Sequence, residues 1–247
     1  MAAVLAACGA GDRGTPELRV YAAASLTDAF TEVAKQFEAA HPGVGVALNF
    51  GSSSTLAAQI NEGAPADVFA PASAAQLAEL AAGGRVESGR IFATNSLVVA
   101  AAKESPVESF RDLARPGVRL VLAGKDVPAG EYAREALRKA STPEGYGTSF
   151  AASVLANLKS EEVNVRAALT KVELGEADAA VVYVTDLGAA RGVRSVAIPA
   201  EFNVVAEYPV ALVHGANGRQ LAEAFVAYLL SPEGQAILAR HGFGPPQ

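Results

Sequence analysis

The sequence contains no tryptophan, and cysteine and methionine each occur only once in its 247 residues. Because a disulfide needs two cysteines, the single Cys8 excludes an intrachain disulfide framework. Aromatic residues make up 6% of the chain, whereas hydrophobic residues make up 51%. Alanine, valine and leucine must therefore fill the core, and their small side chains predict close packing of helices against sheets.

Positive charge is scarce as well. Lysine and arginine number 20 against 26 acidic residues, the formal net charge is −6, and no basic run occurs. Nucleic-acid-binding domains cluster basic residues, so we expect no nucleic-acid partner. An acidic protein that binds an anion must use local, oriented dipoles rather than its overall field. No segment approaches ~18 consecutive apolar residues, so no membrane-spanning helix is predicted.

The motifs of common enzymes are missing. The chain has no G-x-S-x-G elbow, no H-E-x-x-H metal site and no G-x-x-x-x-G-K-[ST] phosphate loop. We therefore predict no enzyme, no catalytic residue, no cofactor and no metal held directly by side chains. Asp67 is interpreted as a residue that forms a turn or supports the ligand cleft rather than as a catalytic acid. Tyr208, which precedes Pro209, is interpreted as a feature of an extended strand rather than a contact.

The N-terminus carries one further signal. Cys8 follows Leu5-Ala6-Ala7 and precedes Gly9, a pattern that resembles the bacterial lipobox, in which the cysteine is lipidated. The alternative is a chance cysteine, because residues 1–7 lack a basic region and are short for an apolar signal segment. We interpret residues 1–16 as a lipoprotein leader remnant and tether.

From residue 17 onward, strand and helix patterns alternate, which predicts an α/β fold. The predicted strands span residues 18–23, 44–50, 67–70, 120–123 and 179–183, and the predicted helices 26–37, 55–62, 73–82, 128–140, 150–158, 164–175, 186–190, 220–229 and 232–240. Two longer extended runs, residues 96–102 and 208–214, are interpreted as crossings between two lobes. We expect lobe 1 to comprise residues 17–99 and 206–247, and lobe 2 residues 100–205.

Several predicted helices begin directly after a strand with small, hydroxyl or amide residues. These starts lie at Ser25, at residues 52–54, at residues 127–130 and at Asn164. Ser25 with Asp28 three residues later is close to a capping box. The first N–H groups of a helix lack internal partners and carry partial positive charge, so such ends bind anions. The small size of Ala129 and Gly130 is expected to let an anion approach. Plain helix capping is the alternative at each start.

A set of motifs in order along the chain resembles the periplasmic molybdate-binding proteins of ABC transporters, members of the type II periplasmic solute-binding superfamily. The motifs are residues 21–28 (YAAASLTD), 51–60 (GSSSTLAAQI), 63–69 (GAPADVF), 95–99 (NSLVV), 127–130 (VPAG), 181–183 (VVY) and 207–210 (EYPV). The resemblance runs from Leu18 to Phe243. It implies a fold of two lobes, each a mixed sheet flanked by helices, joined by two hinge strands.

The resemblance also implies the ligand residues. Ser25 and Ser53 would offer hydroxyls and backbone N–H groups, Ala129 and Val165 backbone N–H groups, and Tyr183 its phenol. Every one of these groups donates hydrogen bonds, which suits a fully deprotonated dianion. Two departures from the family pattern, Lys125 and Val184, remove no donor.

The implied function is capture of molybdate, and also of tungstate, outside the cytoplasm for an ABC permease with a separate ATPase subunit. We expect a monomer that reaches the membrane only through a lipid anchor at Cys8, or is free in the periplasm. The alternatives are a receptor for another tetrahedral oxyanion such as sulfate, and the ligand-sensing domain of a transcription regulator. The second would need a helix-turn-helix segment, and the sequence shows none.

Overall fold

The computed structural model describes residues 16–216 and 218–246. The predicted lipid-anchor residue Cys8 lies outside this part. The strands are β1 (Glu17–Ala23), β2 (Gly45–Gly51), β3 (Val68–Ala70), β4 (Arg90–Ala102), β5 (Leu120–Ala123), β6 (Leu158–Glu162), β7 (Ala179–Tyr183), β8 (Val193–Ala197) and β9 (Val205–Leu212). The helices are α1 (Thr27–Ala40), α2 (Ser53–Asn61), α3 (Ala74–Ala82), α4 (Pro128–Ala140), α5 (Phe150–Leu155), α6 (Val165–Glu173), α7 (Arg219–Leu229) and α8 (Pro232–Arg240). Short 3-10 turns span Ala24–Leu26, Phe110–Ala114 and Val184–Gly188.

The strands form one mixed sheet in the order β2-β1-β3-β9-β4-β7-β5-β6, with β8 beside β4. Strands β1, β2 and β3 are parallel to one another, and so are β5, β6 and β7. Between these two groups, β4 and β9 run antiparallel to their neighbours. The predicted α/β class with a mixed sheet flanked by helices is confirmed. We call β1–β3 with α1–α3, α7 and α8 the first half, and β5–β8 with α4–α6 the second half.

Strand β4 connects the two halves by changing partners along its length. Its residues 90–96 pair with β9, whereas residues 97–101 pair with β7 and residues 98–102 with β8. At the change, the Asn203 side chain accepts a hydrogen bond from Leu97 N at 3.1 Å and donates one to Leu97 O at 2.9 Å. The extended runs predicted at 96–102 and 208–214 belong to longer or shifted strands, Arg90–Ala102 and Val205–Leu212.

Two strands were not predicted from the sequence, and both pair on one side only. β6 has the sequence LKSEE and forms the end of the sheet, in a region where a helix was predicted as far as residue 158. β8 has the sequence VRSVA and pairs with β4. Edge strands of this kind carry charges and lack the apolar pattern that marks an inner strand. Their partners, rather than their own sequences, make them strands.

Aromatic residues build the core of the first half. The ring of Phe225 on α7 lies 6.2 Å from that of Phe30 and 5.2 Å from that of Phe37, both on α1. The C-terminal helices thus pack on the N-terminal helix. In the second half, Ala133, Ala136 and Ala140 lie on one buried face of α4. Alanines at helical spacing let α4 approach the sheet closely, as the composition predicts.

Candidate functional site

A small pocket lies where the carboxyl ends of the parallel strands of both halves meet. In open α/β sheets this edge is where ligands bind. The lining residues are Ala23, Ala24, Ser25, Gly51, Ser52, Ser53, Ala72, Val127, Pro128, Ala129, Asn164, Val165 and Tyr183. The structure therefore brings all of the predicted ligand residues to one place. The pocket is small: the space open to the centre of a water molecule is about 10 Å³, far below the ~300–1,000 Å³ of sites for larger organic ligands.

Ser25 reaches the pocket in a way that the sequence did not predict. It lies within the 3-10 turn Ala24–Leu26, and α1 begins only at Thr27 without a side-chain cap, so the predicted capping box with Asp28 is wrong. The Ser25 hydroxyl oxygen lies instead 2.9 Å from the phenol oxygen of Tyr208. Tyr208, interpreted from sequence as a strand feature, therefore contacts a predicted site residue.

Two consecutive serines at the start of α2, Ser52 and Ser53, have different roles. Ser52 is the N-cap, and its Oγ accepts a hydrogen bond from Thr55 N at 3.1 Å. Ser53 lines the pocket, and its Oγ accepts a hydrogen bond from Ala72 N at 2.9 Å. Because a hydroxyl has one proton and two lone pairs, this contact leaves the Ser53 proton available as a donor.

Helix α4 directs its first turn at the pocket. Pro128 occupies the first turn, as predicted, and Ala129 lines the pocket. Gly130 does not line it: a Cβ there would lie 2.1 Å from Gly124 O and 2.2 Å from Ala123 O. The glycine is needed because α4 packs against the end of β5. The approach of an anion to the Gly130 N–H group stays a prediction.

The N-terminus of helix α6 also lies at the pocket. Asn164 is its N-cap, and the side-chain Oδ1 accepts a hydrogen bond from Ala167 N at 2.9 Å. Val165 follows at the first helical position, where the backbone N–H has no acceptor within the helix. The helix ends thus present Ala129 and Val165 as backbone donors with partial positive charge behind them.

Tyr183 ends β7 and contributes a buried phenol. Within the described part of the chain, its Oη is buried and has no hydrogen-bond partner. Burial raises the pKa of this phenol well above its ordinary value, so the group keeps its proton. An unpaired buried hydroxyl costs free energy, roughly 1–3 kcal/mol. A bound acceptor in the pocket would remove that cost.

No residue that lines the pocket carries a formal charge, among those the structure describes. Charges lie just behind it. Arg166 Nε is 2.8 Å from an oxygen of the fully buried Asp186, and Arg166 Nη2 is 2.6 Å from Asp28 on the other half. The second Asp186 oxygen accepts a hydrogen bond from Tyr183 N at 3.0 Å. Burial raises the pKa of Asp186 to about 6, opposed by the neighbouring Arg166.

Other residues weighed from sequence lie elsewhere. Asp67 is buried and accepts a hydrogen bond from Arg19 N at 2.8 Å, just before the amino end of β3. It does not line the pocket, which lies at the carboxyl ends of the strands. Over residues 16–216 and 218–246, no group of histidine, cysteine and acidic side chains is arranged to hold a metal ion. In the same ranges, no helix combines the length and the apolar character needed to cross a bilayer.

Asn95, Arg166 and Asp186 were not singled out as functional from the sequence. Asn95 opens the motif 95–99 that carries the family resemblance, and Arg166 follows the implied ligand Val165. These positions were the available signal. Nothing in the local sequence marks Asp186 as a buried carboxylate, because its burial depends on packing between distant segments.

Comparisons with known proteins agree with the geometry. The family model for bacterial extracellular solute-binding proteins matches residues 18–244. The molybdate-binding protein ModA of Mycobacterium tuberculosis is 38% identical, covering 100% of this chain and 95% of the relative. ModA of Escherichia coli is 36% identical, covering 92% and 88%. The putative ABC transporter substrate-binding lipoprotein YvgL of Bacillus subtilis is 32% identical, covering 92% and 85%.

Solved structures agree on the fold. The periplasmic molybdate-binding protein of Azotobacter vinelandii matches with a TM-score of 0.81 at 23% identity, covering 93% of this chain and 100% of the other. The sulfate-binding protein SubI of Mycobacterium tuberculosis matches with a TM-score of 0.83 at 20% identity, covering 93% and 87%. The predicted periplasmic-binding-protein-like fold is confirmed. Fold alone does not separate one oxyanion from another.

Proposed function

The chain belongs to the bacterial extracellular solute-binding protein family, and from this premise we propose that it captures molybdate outside the cytoplasm and delivers it to an ABC importer. It is a solute-binding protein and not an enzyme. The observation that carries the proposal is the composition of the pocket. Hydroxyl and backbone donors from both halves line it, and one of them, Tyr183 Oη, is buried without a partner among the described residues.

The donor set fits the chemistry of the anion. Molybdate is a fully deprotonated dianion at neutral pH and can only accept hydrogen bonds. We propose that Ser25, Ser53 and Tyr183 donate from hydroxyls, and that Ala129 and Val165 donate from backbone N–H groups. Hydrogen bonds to a charged group contribute ~1.5–3 kcal/mol each. The helix ends supply positive potential without a lysine or arginine, which suits a chain whose net charge is −6.

The pocket is divided between two lobes in this proposal: residues 17–99 with 206–247, and residues 100–205. Strands β4 and β9 are the connections, and the change of partner at Ser96 and Leu97 is where bending is expected. Ser25 and Ser53 belong to one lobe, and Ala129, Val165 and Tyr183 to the other. An anion held by both would favour the closed arrangement, because only that arrangement completes its donors.

The partners follow from this role. The anion would pass to a membrane permease driven by a separate ATPase subunit, and the receptor would act as a monomer. We propose that Cys8 carries a lipid anchor, an idea supported by the lipobox-like residues 5–9 and by the name of the Bacillus subtilis relative. Mass spectrometry of the membrane fraction tests it: a diacylglyceryl mass on Cys8 supports the anchor, and an unmodified cysteine contradicts it.

The test of the function is isothermal titration with molybdate, tungstate and sulfate. We expect near-stoichiometric binding of molybdate and tungstate and far weaker binding of sulfate. Sulfate is the second candidate ligand, because it too is fully deprotonated and the SubI fold is similar. Sulfate binding as tight as molybdate would contradict the assignment. Absence of binding to all three anions would contradict an oxyanion receptor altogether.

A further inference from the structure

Ser25 is the outermost member of a buried chain of polar groups that continues away from the pocket. Its Oγ lies 2.9 Å from Tyr208 Oη, and Asn95 Nδ2 lies 3.5 Å from the same phenol oxygen. Asn95 Nδ2 also donates a hydrogen bond to Thr185 Oγ1 at 2.9 Å. Ser25, Tyr208 and Asn95 are each at most 6% exposed. Water therefore has little access to reorganise these groups.

The direction of hydrogen bonding in this chain is set at its inner end. The Asn95 oxygen Oδ1 accepts a hydrogen bond from Ser96 N at 3.0 Å. A backbone N–H can only donate, so the amide oxygen must face Ser96 and the amide nitrogen must face Tyr208 and Thr185. Asn95 therefore presents only donor protons to the phenol oxygen of Tyr208.

This arrangement decides where the Tyr208 proton points. Burial raises the pKa of Tyr208 above its ordinary value, so the phenol stays protonated. The amide nitrogen of Asn95 cannot accept the phenol proton, so Ser25 Oγ, 2.9 Å away, is the acceptor that the hydrogen-bonded neighbours of Tyr208 Oη offer. Ser25 Oγ then accepts a hydrogen bond from Tyr208, on the side away from the pocket, and the Ser25 proton is free to point into the pocket. The opposite direction would turn lone pairs of Ser25 toward the pocket and would repel an anion.

We propose that Asn95 and Tyr208 are positioning residues that fix Ser25 as a hydrogen-bond donor to the bound oxyanion. The inference rests on the proposed function and adds a reason for selectivity. A pocket whose serine directs its proton at the ligand favours an anion without protons over one that carries a hydroxyl, such as monohydrogen phosphate. Chains of hydrogen bonds also polarise one another, which strengthens the last donor.

The sharpest test reverses the chain without changing its shape. In Asn95→Asp the carboxylate still accepts from Ser96 N, but its second oxygen now accepts from Tyr208, and Ser25 is left to donate to Tyr208. We expect molybdate affinity, measured by titration at pH 8, to fall about 100-fold, since one donor is lost and one repulsion is gained. Tyr208→Phe removes the hydroxyl that connects Asn95 to Ser25. Because Ser25 can still donate to the anion, molybdate affinity is expected to fall only about 5-fold.

The double variant separates this effect from simple charge repulsion. If the aspartate acts through the Tyr208 hydroxyl, adding Asn95→Asp to Tyr208→Phe should weaken binding only about 5-fold further. An equal penalty in both backgrounds means that the added charge acts through space, and it overturns the inference. Thermal unfolding without ligand verifies that each variant is folded, and Tyr228→Phe on α7 serves as the control for loss of a phenol outside the site.

Selectivity gives an independent readout that a purely structural role would not change. In Asn95→Asp the ratio of molybdate to monohydrogen phosphate affinity should fall by at least about 10-fold, because Ser25 can then accept from the phosphate hydroxyl. The double variant should not show this change. An unchanged ratio in Asn95→Asp overturns the inference while leaving the proposed function intact. Failure of the unmodified protein to bind molybdate contradicts the proposed function itself.

Discussion

Arg166 and Asp28 form an ion pair between the two halves beside the pocket, with Arg166 Nη2 2.6 Å from Asp28 Oδ2. Arg166 follows the proposed ligand Val165 on α6 of the second half, and Asp28 lies in the first turn of α1 in the first half. The residues are 138 positions apart in the chain. This contact joins the two halves directly beside the pocket, so it should depend on closure and contribute to it.

We predict that Asp28→Asn weakens molybdate binding about 3- to 10-fold, because it removes a partly exposed ion pair that exists only when the halves are together. The measurement is isothermal titration at low salt. Glu32→Gln is the matched control: Glu32 also lies on α1, but its partners Arg240 and His241 belong to the same half. Equal losses in the two variants would contradict a closure role for the Asp28 pair.

Asp186 should make stability depend on pH. Its pKa rises from 3.8 to about 6 on folding, chiefly through burial. The folded state therefore binds this proton more tightly than the unfolded state, and the contribution to stability is present at low pH and lost as pH rises through 6. Asp186→Asn should gain up to roughly 3 kcal/mol relative to the unmodified protein between pH 4 and pH 8. Denaturant unfolding at several pH values measures the difference.

The free energies of unfolding of the unmodified protein and of Asp186→Asn are compared at each pH. The contributions of all other ionisable groups then cancel, because both proteins contain them. The asparagine oxygen can still accept the hydrogen bond from Tyr183 N, and Arg166 keeps Asp28 as a partner. The two proteins could also differ in free energy of unfolding by an amount that does not change with pH, or that changes in the opposite direction. Either result would show that burial does not destabilise the charged form of Asp186 in the folded protein.

Tyr183→Phe should separate binding from stability. Molybdate affinity should fall roughly 10- to 100-fold, because one hydrogen bond to the dianion is lost. Unfolding without ligand should occur at the same or a slightly higher temperature, since the variant removes a buried hydroxyl that has no partner within the described residues. Titration and calorimetry measure the two effects. A clear loss of stability without ligand would mean that the phenol has a structural partner.

Gly130→Ala should destabilise the protein by about 1–3 kcal/mol and also weaken anion binding. The new methyl group would meet Gly124 O and Ala123 O at 2.1 and 2.2 Å, so α4 must shift and carry Ala129 away from the pocket. Gly45→Ala in β2 is the control, because a Cβ there meets nothing within 4 Å. The denaturation midpoints of the two variants measure the loss of stability. Similar midpoints would show that α4 can shift without destabilising the protein.

The sequence was informative wherever a residue's role depends on its neighbours in the chain. Asn164 and Ser52 are caps because each precedes a helix, and Pro128 fits a first turn, as predicted. The strands between helices were found from apolar runs. The edge strands β6 and β8 were missed because their polar residues do not form such runs, and only pairing with β5 and β4 defines them.

Ser25 shows where local inference ends. Its sequence context suggested a helix cap with Asp28, but a hydroxyl and a carboxylate bind whichever partners the folded chain brings near. Tyr208, 183 positions away, approaches Ser25, and Arg166 approaches Asp28. Tyr208 lies on β9 and Arg166 on α6, so both contacts form only when these distant elements pack beside α1. The sequence near residue 25 contains no pattern that predicts this packing.

The sequence by itself determined the α/β class, the family and, through the family resemblance, five of the residues that line the pocket, because strand ends and helix starts are local features and the motifs are continuous. Only the tertiary structure decided which polar groups surround those residues: the Asn95–Tyr208–Ser25 chain, the buried Asp186 and the Arg166–Asp28 pair. The physical reason is that hydrogen bonds and burial depend on distance in space, and the sheet brings together strand ends that lie far apart along the chain.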